Sequence, residues 1–140
     1  MQIKTILLPL DGSPSSDRAL DYAVGFCELV GARAVLLHSH RALPATLGKP
    51  NFDEAMERMQ QDSADVLRPY QDTLDLAGVG YTTRIVSGAT AEVIFDVAKS
   101  EGCDLIIMGS KGKGNLEGML VGSVTHKVLH IAPCPVLVIR

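Results

Sequence analysis

The sequence predicts a single α/β domain: a doubly wound, Rossmann-like parallel sheet of five strands with helices on both faces. Three observations carry this. Apolar runs of strand length, mostly without polar alternation, recur along the chain, as in strands buried on both faces. A helical segment separates each run from the next, which is the crossover that parallel neighbours need. The chain has 140 residues, 46% hydrophobic and 21% charged, enough for one core and too few for two domains. One domain is therefore expected over residues 1–140.

The elements follow in order. Ile3 to Leu8 is β-prone and ends at Pro9-Leu10-Asp11-Gly12-Ser13-Pro14, a cluster of turn formers. From Ser16, the residues Ala19, Leu20, Ala23, Val24, Cys27 and Val30 recur at helical spacing, with Ser15 or Ser16 placed to cap the first turn and Gly31 to stop the last. Ala34 to His38 is a second strand, and Arg41 to Asn51 an irregular connection. A long helix follows, with Phe52, Met56, Met59, Ser63, Val66, Tyr70 and Leu74 on its buried face. Pro69 is expected to kink or break it. The methionines there read as core packing rather than as a cofactor stripe. Tyr81 to Val86 is the third strand. Thr90 to Ser100 is a helix with Ala91, Ile94, Val97 and Ala98 inward, closed by Gly102. Asp104 to Met108 is the fourth strand, Ser123 to Ile131 the last helix and Val136 to Ile139 the fifth strand.

Composition excludes several function classes. The net charge is −3, from 13 Lys and Arg against 16 Asp and Glu, and no basic stretch marks a nucleic-acid partner. Cys27, Cys103 and Cys134 form no zinc-ligand spacing and read as small core residues. His38, His40, His126 and His130 form no metal set: His38 reads as a strand-end residue, the last two as helix-surface residues. No apolar run reaches the roughly 18 residues of a membrane helix, and the N-terminus lacks a signal-peptide pattern. A cytoplasmic protein, without membrane association, is expected.

In doubly wound sheets, ligands bind beyond the carboxyl ends of the strands, where strand order reverses. The two most turn-rich strand ends are Leu10 to Pro14 and Gly109 to Gly122; if their strands are neighbours, the loops face each other across one cleft. The second segment holds five of the 13 glycines. Glycine there either supplies positive φ angles or lets the backbone approach a phosphate chain. Lys111 and Lys113 favour the second reading, as does Gly122-Ser123 at a helix start, where free N–H groups and the helix dipole attract an anion. With charge-assisted hydrogen bonds contributing about 1.5–3 kcal/mol each, a handful of donors supports micromolar binding. Two familiar motifs fail. Walker A needs Gly-Lys-Ser or Gly-Lys-Thr, whereas Gly114 is followed by Asn115-Leu116; the dinucleotide fingerprint needs a glycine where Glu117 stands.

What fits is Gly109-x2-Gly112-x9-Gly122-Ser123, which is similar to the nucleotide-binding signature of the ATP-binding branch of the universal stress protein family. The resemblance extends from Ile6-Leu7-Leu8-Pro9-Leu10-Asp11-Gly12-Ser13 through Leu36-Leu37-His38 and Ile106-Ile107-Met108-Gly109-Ser110 to Ala132-Pro133-Cys134-Pro135-Val136-Leu137-Val138-Ile139. It implies a sheet in the order 3-2-1-4-5, a homodimer pairing through the last strands, and ATP across the ends of strands 1, 2 and 4. Carried over by position, Pro9, Leu10 and Asp11 border adenine and ribose, with Asp11 accepting from one of them. Gly109, Gly112, Gly122 and Ser123 hold the phosphates, with Met108 and Val124 alongside. The position after His38, often an apolar residue touching adenine, is Ser39 here and departs from the pattern.

Plainer roles compete: Asp11-Gly12-Ser13 could be only a turn with a cap, and Ser123 only a helix cap. Three functions follow from the sequence. The first is an ATP-binding stress-response or regulatory module. The second is a slow ATPase in which Asp11 or a loop residue orients water around Mg or Mn carried by the phosphates; no general base or nucleophile is evident. The third is a structural dimer without nucleotide, against which the intact glycine pattern argues. The dimer itself is also expected from Val136 to Ile139, apolar on both faces and in need of cover if it lies at a sheet edge.

Overall fold

The computed structural model describes residues 1–113, 118 and 120–140. Positions 114–117 and 119 of the predicted glycine loop, among them the Gly114, Asn115, Leu116 and Glu117 of the motif comparison, lie outside the described residues. The elements are β1 (Thr5–Pro9), α1 (Pro14–Val30), β2 (Arg33–His40), α2 (Asn51–Ala77), β3 (Tyr81–Ser87), α3 (Thr90–Ser100), β4 (Leu105–Gly109), α4 (Ser123–Ile131) and β5 (Val136–Ile139), with a 3-10 turn at Ala45–Leu47 in the connection before α2. All five strands are parallel, in the order β3-β2-β1-β4-β5. The expected fold class and strand order hold.

Alternation within the strands divides the core into two layers. Ile6, Leu8, Leu36 and Ile107 point to the face covered by α1 and α2, while Leu7, Val35, Leu37 and Ile106 point to the face covered by α3 and α4. All eight are at most 1% exposed. This is why β1, β2 and β4 read as continuous apolar runs.

Several local expectations are corrected. Helix α1 starts at Pro14, and its cap is Ser13, whose side chain accepts from the Ser16 amide. Pro14 at the first helical position needs no amide partner and has φ suited to a helix, so the start lies earlier than Ser15 or Ser16. Gly31 ends the helix as expected, at φ 72°, where only glycine avoids a steric cost. Strand β2 runs two residues past His38, which therefore sits inside the strand. Cys134 is half-buried, whereas Cys27 and Cys103 are buried.

Helix α2 runs through Pro69 without a break. A proline inside a helix costs about 3 kcal/mol, and burying a leucine contributes about 1.5–3 kcal/mol. Leu67 and Leu74, both fully buried, flank Pro69 and offset that cost, while the ring itself is exposed. The buried face is Ser63, Leu67, Tyr70 and Leu74; Val66 only packs against its margin. Phe52, Met56 and Met59 are half-buried rather than core. The reason is length: 27 residues make a helix of about 40 Å, and the eight residues of β2 span about 26 Å. The N-terminal part of α2 overhangs the carboxyl end of the sheet.

Strand β5 lies at one edge, paired only with β4. The alternative of a central strand is excluded, and its four residues are each half-buried.

Candidate functional site

Because β1 and β4 are neighbours while the chain leaves β1 toward β2, the order reverses between them and a crevice opens at their carboxyl ends. A cleft of about 270 Å³ occupies it. The loops after β1 and β4 meet there, as the sequence predicted.

Of the predicted site residues, Pro9, Leu10 and Asp11 line the cleft from the end of β1 and Ser39 from β2. Met108 and Gly109 line it from β4, Gly112 from the loop, and Ser123 and Val124 from the start of α4. Lys111 and Lys113 complete the loop side. Gly122 is not among the lining residues. It is the N-cap of α4 at φ −74°, ψ 165°, and its amide donates to the Ser110 carbonyl at 2.6 Å. That backbone is ordinary extended chain, so Gly122 does not serve a left-handed angle. Ser123 is not the cap but the first helical residue, and no described side chain caps α4. The early amides of α4 thus face the cleft without a side-chain acceptor, the arrangement that receives anions.

Asp11 is the hub of the first loop. Its Oδ1 accepts from the Ser13 amide at 2.9 Å and from Ser16 Oγ at 2.7 Å, and its Oδ2 accepts from the Lys113 amide at 2.9 Å. Burial alone would raise its pKa, but the hydrogen bonds from Ser13, Ser16 and Lys113 outweigh burial and hold the carboxyl below its ordinary 3.8. The carboxylate is therefore ionised at neutral pH and ties the β1 loop to the glycine loop. The Lys113 side chain lies over Gly12, where an added Cβ would stand 3.5 Å from Nζ. On the other side of β1, His38 Nδ1–H donates to the Leu10 carbonyl at 2.8 Å.

Gly109 has a different reason to be glycine. A Cβ there would stand 2.8 Å from both the carbonyl carbon and the carbonyl oxygen of Ser15, and closer still to Ser15 Oγ. Helix α1 begins against the end of β4, and only a residue without a side chain leaves room.

Sequence reasoning named the serines at the start of α1 only as caps and missed what their hydroxyls, and that of Thr125, hold in the site. Ser13, Ser15 and Ser16 are 4–5% exposed, and each holds a different group: Ser13 the Ser16 amide, Ser15 the Lys111 amide at 3.2 Å, Ser16 the Asp11 carboxylate. Thr125, 3% exposed, donates to the Gly109 carbonyl at 2.9 Å. Thr90 and Ile94 of α3 also line the cleft, and Ser39 Oγ donates to Thr90 Oγ1 at 2.9 Å. The available signal was three serines within four positions of a helix start, more than one cap requires. Among the described residues, no group of three or more His, Cys, Asp or Glu could hold a metal ion, and no helix is long and apolar enough to cross a membrane.

Comparison with known proteins places this geometry in context. The model described as "Universal stress protein family" matches residues 2–140. A Thermus aquaticus protein described as a universal stress protein in the QAH/OAS sulfhydrylase 3' region is 38% identical over 138 residues, covering 98% of both chains. The solved structure of the hypothetical protein MJ0577, from Methanocaldococcus jannaschii, superposes with a TM-score of 0.89 at 32% identity, covering 99% of this chain and 96% of that one. A universal stress protein crystallised in complex with cAMP superposes with a TM-score of 0.74 at 25% identity, covering 100% and 98%.

Proposed function

We propose that this chain, which belongs to the universal stress protein family, binds ATP in the cleft between β1 and β4 and acts as a nucleotide-dependent regulatory module in stress response. One observation carries the reading: Gly112, Lys111, Lys113 and the start of α4, which no described side chain caps, converge on one side of the cleft. A helix N-terminus and two ammonium groups on flexible stems are the chemistry that receives a phosphate chain. The cAMP complex of a relative supports an adenine nucleotide in particular.

The ligand lies with its phosphates over the glycine loop and α4, near Gly109, Gly112, Gly122 and Ser123, with Met108 and Val124 beside them. Its base and ribose lie toward Pro9, Leu10, Asp11 and Ser39. Mg or Mn travels on the phosphates, since the described residues offer no cluster of protein ligands for it. Binding rather than turnover is the function we infer. Both oxygens of Asp11 are already engaged by Ser13, Ser16 and Lys113, which leaves this carboxylate poorly placed to orient an attacking water. The protein works in the cytoplasm as a homodimer, with β5 paired to its own copy across a two-fold axis, because β5 is an edge strand of four apolar residues and such edges need cover.

Denaturing the purified protein and identifying the released nucleotide tests the reading, together with calorimetric titration of ATP into nucleotide-free protein. Recovered ATP or a micromolar titration is expected. Protein that carries none and does not take up added ATP would remove nucleotide binding and leave the structural dimer.

A further inference from the structure

Three successive residues at the start of the glycine loop are each anchored through their own backbone N–H or C=O groups. The Gly109 carbonyl accepts from Thr125 Oγ1 at 2.9 Å. The Ser110 amide donates to the Ile139 carbonyl at 2.9 Å, and the Ser110 carbonyl accepts from the Gly122 amide at 2.6 Å. The Lys111 amide donates to Ser15 Oγ at 3.2 Å. The Ser110 anchors are backbone, available to any sequence. The other two are side-chain hydroxyls, delivered by the first turns of α1 and α4 from opposite faces of the sheet.

We infer that Ser15 and Thr125 are positioning residues that hold Gly109 to Lys111 in the geometry that receives the phosphate chain, so that they set affinity for phosphate and not for the nucleoside. The inference rests on the ATP-binding reading above. Helix stability does not require either hydroxyl. Ser13 already caps α1, and Ser15 reaches a partner 96 residues away. A Ser or Thr in a helix commonly bonds its own preceding turn, but Thr125 bonds a carbonyl 16 residues earlier, in β4. Both residues are at most 4% exposed, and Thr125 stands at the wall of the cleft itself, so each hydroxyl is committed to its loop partner at the edge of the site. The anchored peptide groups lead directly into Lys111 and Gly112, which line the cleft. Without the anchors, the loop keeps its sequence and its charges but loses its preset direction, and ligand binding must then supply the ordering. The nucleoside end, built from β1 and β2, contains neither hydroxyl's partner.

The test compares ATP and adenosine on the full chain. Losing one such hydrogen bond in Thr125→Val or Ser15→Ala weakens ATP binding roughly fivefold to tenfold, whereas adenosine affinity stays unchanged and Thr125→Ser restores ATP binding. Circular dichroism confirms that each variant is folded. ATP affinity equal to wild type in both Thr125→Val and Ser15→Ala overturns the inference, as does a proportional loss of adenosine, which would mean general damage. Hydrogen exchange of the nucleotide-free protein gives an independent readout: the Lys111 amide is slow in wild type and faster in Ser15→Ala. Equal exchange in the two proteins would show that the anchor does not exist. Failure of wild type to bind ATP, with the Lys111 amide still protected through Ser15, would instead locate the error in the ATP-binding reading and take the proposed phosphate role with it.

Discussion

Gly109→Ala separates two meanings of a glycine in a nucleotide motif. If Gly109 exists for the ligand, alanine should damage binding and leave the apo fold intact. The structure says the opposite. The new methyl would stand 2.8 Å from the Ser15 carbonyl carbon and oxygen, which are backbone atoms of the first turn of α1 and cannot rotate aside. Either α1 or the end of β4 must shift. Overpacking of this kind costs about 1–3 kcal/mol. For a chain of 140 residues, each kcal/mol lowers the melting temperature by about 4 °C, so the expected loss is about 4–12 °C. Thermal or urea denaturation without nucleotide measures it. A variant that melts with wild type but no longer binds ATP would refute the packing argument and return Gly109 to the ligand.

Gly122→Ala is expected to melt close to wild type, because φ −74° suits any L residue; a loss of stability comparable to Gly109→Ala would show hidden strain at the α4 cap. Asp11 has a folded pKa depressed below 3.8, so its contribution to stability is present above that value and is lost as pH falls through the folded pKa. Urea titrations should therefore show wild type more stable than Asp11→Asn at neutral pH, with the gap closing below pH 3.8; a gap independent of pH would mean that the hydrogen bonds do not need the charge. Val138→Lys should turn a dimer into a monomer by light scattering, since β5 is an edge strand; a wild-type mass of one chain, or a dimer that survives the substitution, would move the interface elsewhere. Phosphate release from added ATP should fall far below the roughly 1–10³ s⁻¹ of ordinary enzymes, and fast release abolished by Asp11→Asn would restore the ATPase reading.

Much of the fold was legible because its determinants are local. The runs of β1, β2 and β4 are buried on both faces, so their apolar continuity survives without knowledge of the partner strands. Gly31 stopped α1 where a left-handed cap demanded it. The errors occurred where tertiary context decides. The overhang of α2 leaves Met56 and Met59 half-buried although their spacing is that of a core face, and two buried leucines carry the helix through Pro69. At the site, Asp11 and the glycine segment were visible as turn chemistry and spacing. Ser15 and Thr125 were not, because their partners lie 96 and 16 residues away and a serine near a helix start reads first as a cap. Gly109 was visible as a glycine, but its reason was not, since the clash that excludes a side chain comes from another helix.

The distances in sequence between the two halves of the cleft have a kinetic consequence. Lys113 meets Asp11 across 102 residues and Lys111 meets Ser15 across 96, so neither loop finds its partner until β4 has docked beside β1. Contacts of such separation carry the largest loop-closure cost and are expected to form late. A ligand that needs both loops has nothing to hold in the unfolded chain and little in the folding transition state. Bound nucleotide should then slow unfolding while leaving the rate of folding almost untouched. In a cell, the same property would lengthen the lifetime of molecules already folded without hastening the maturation of new ones.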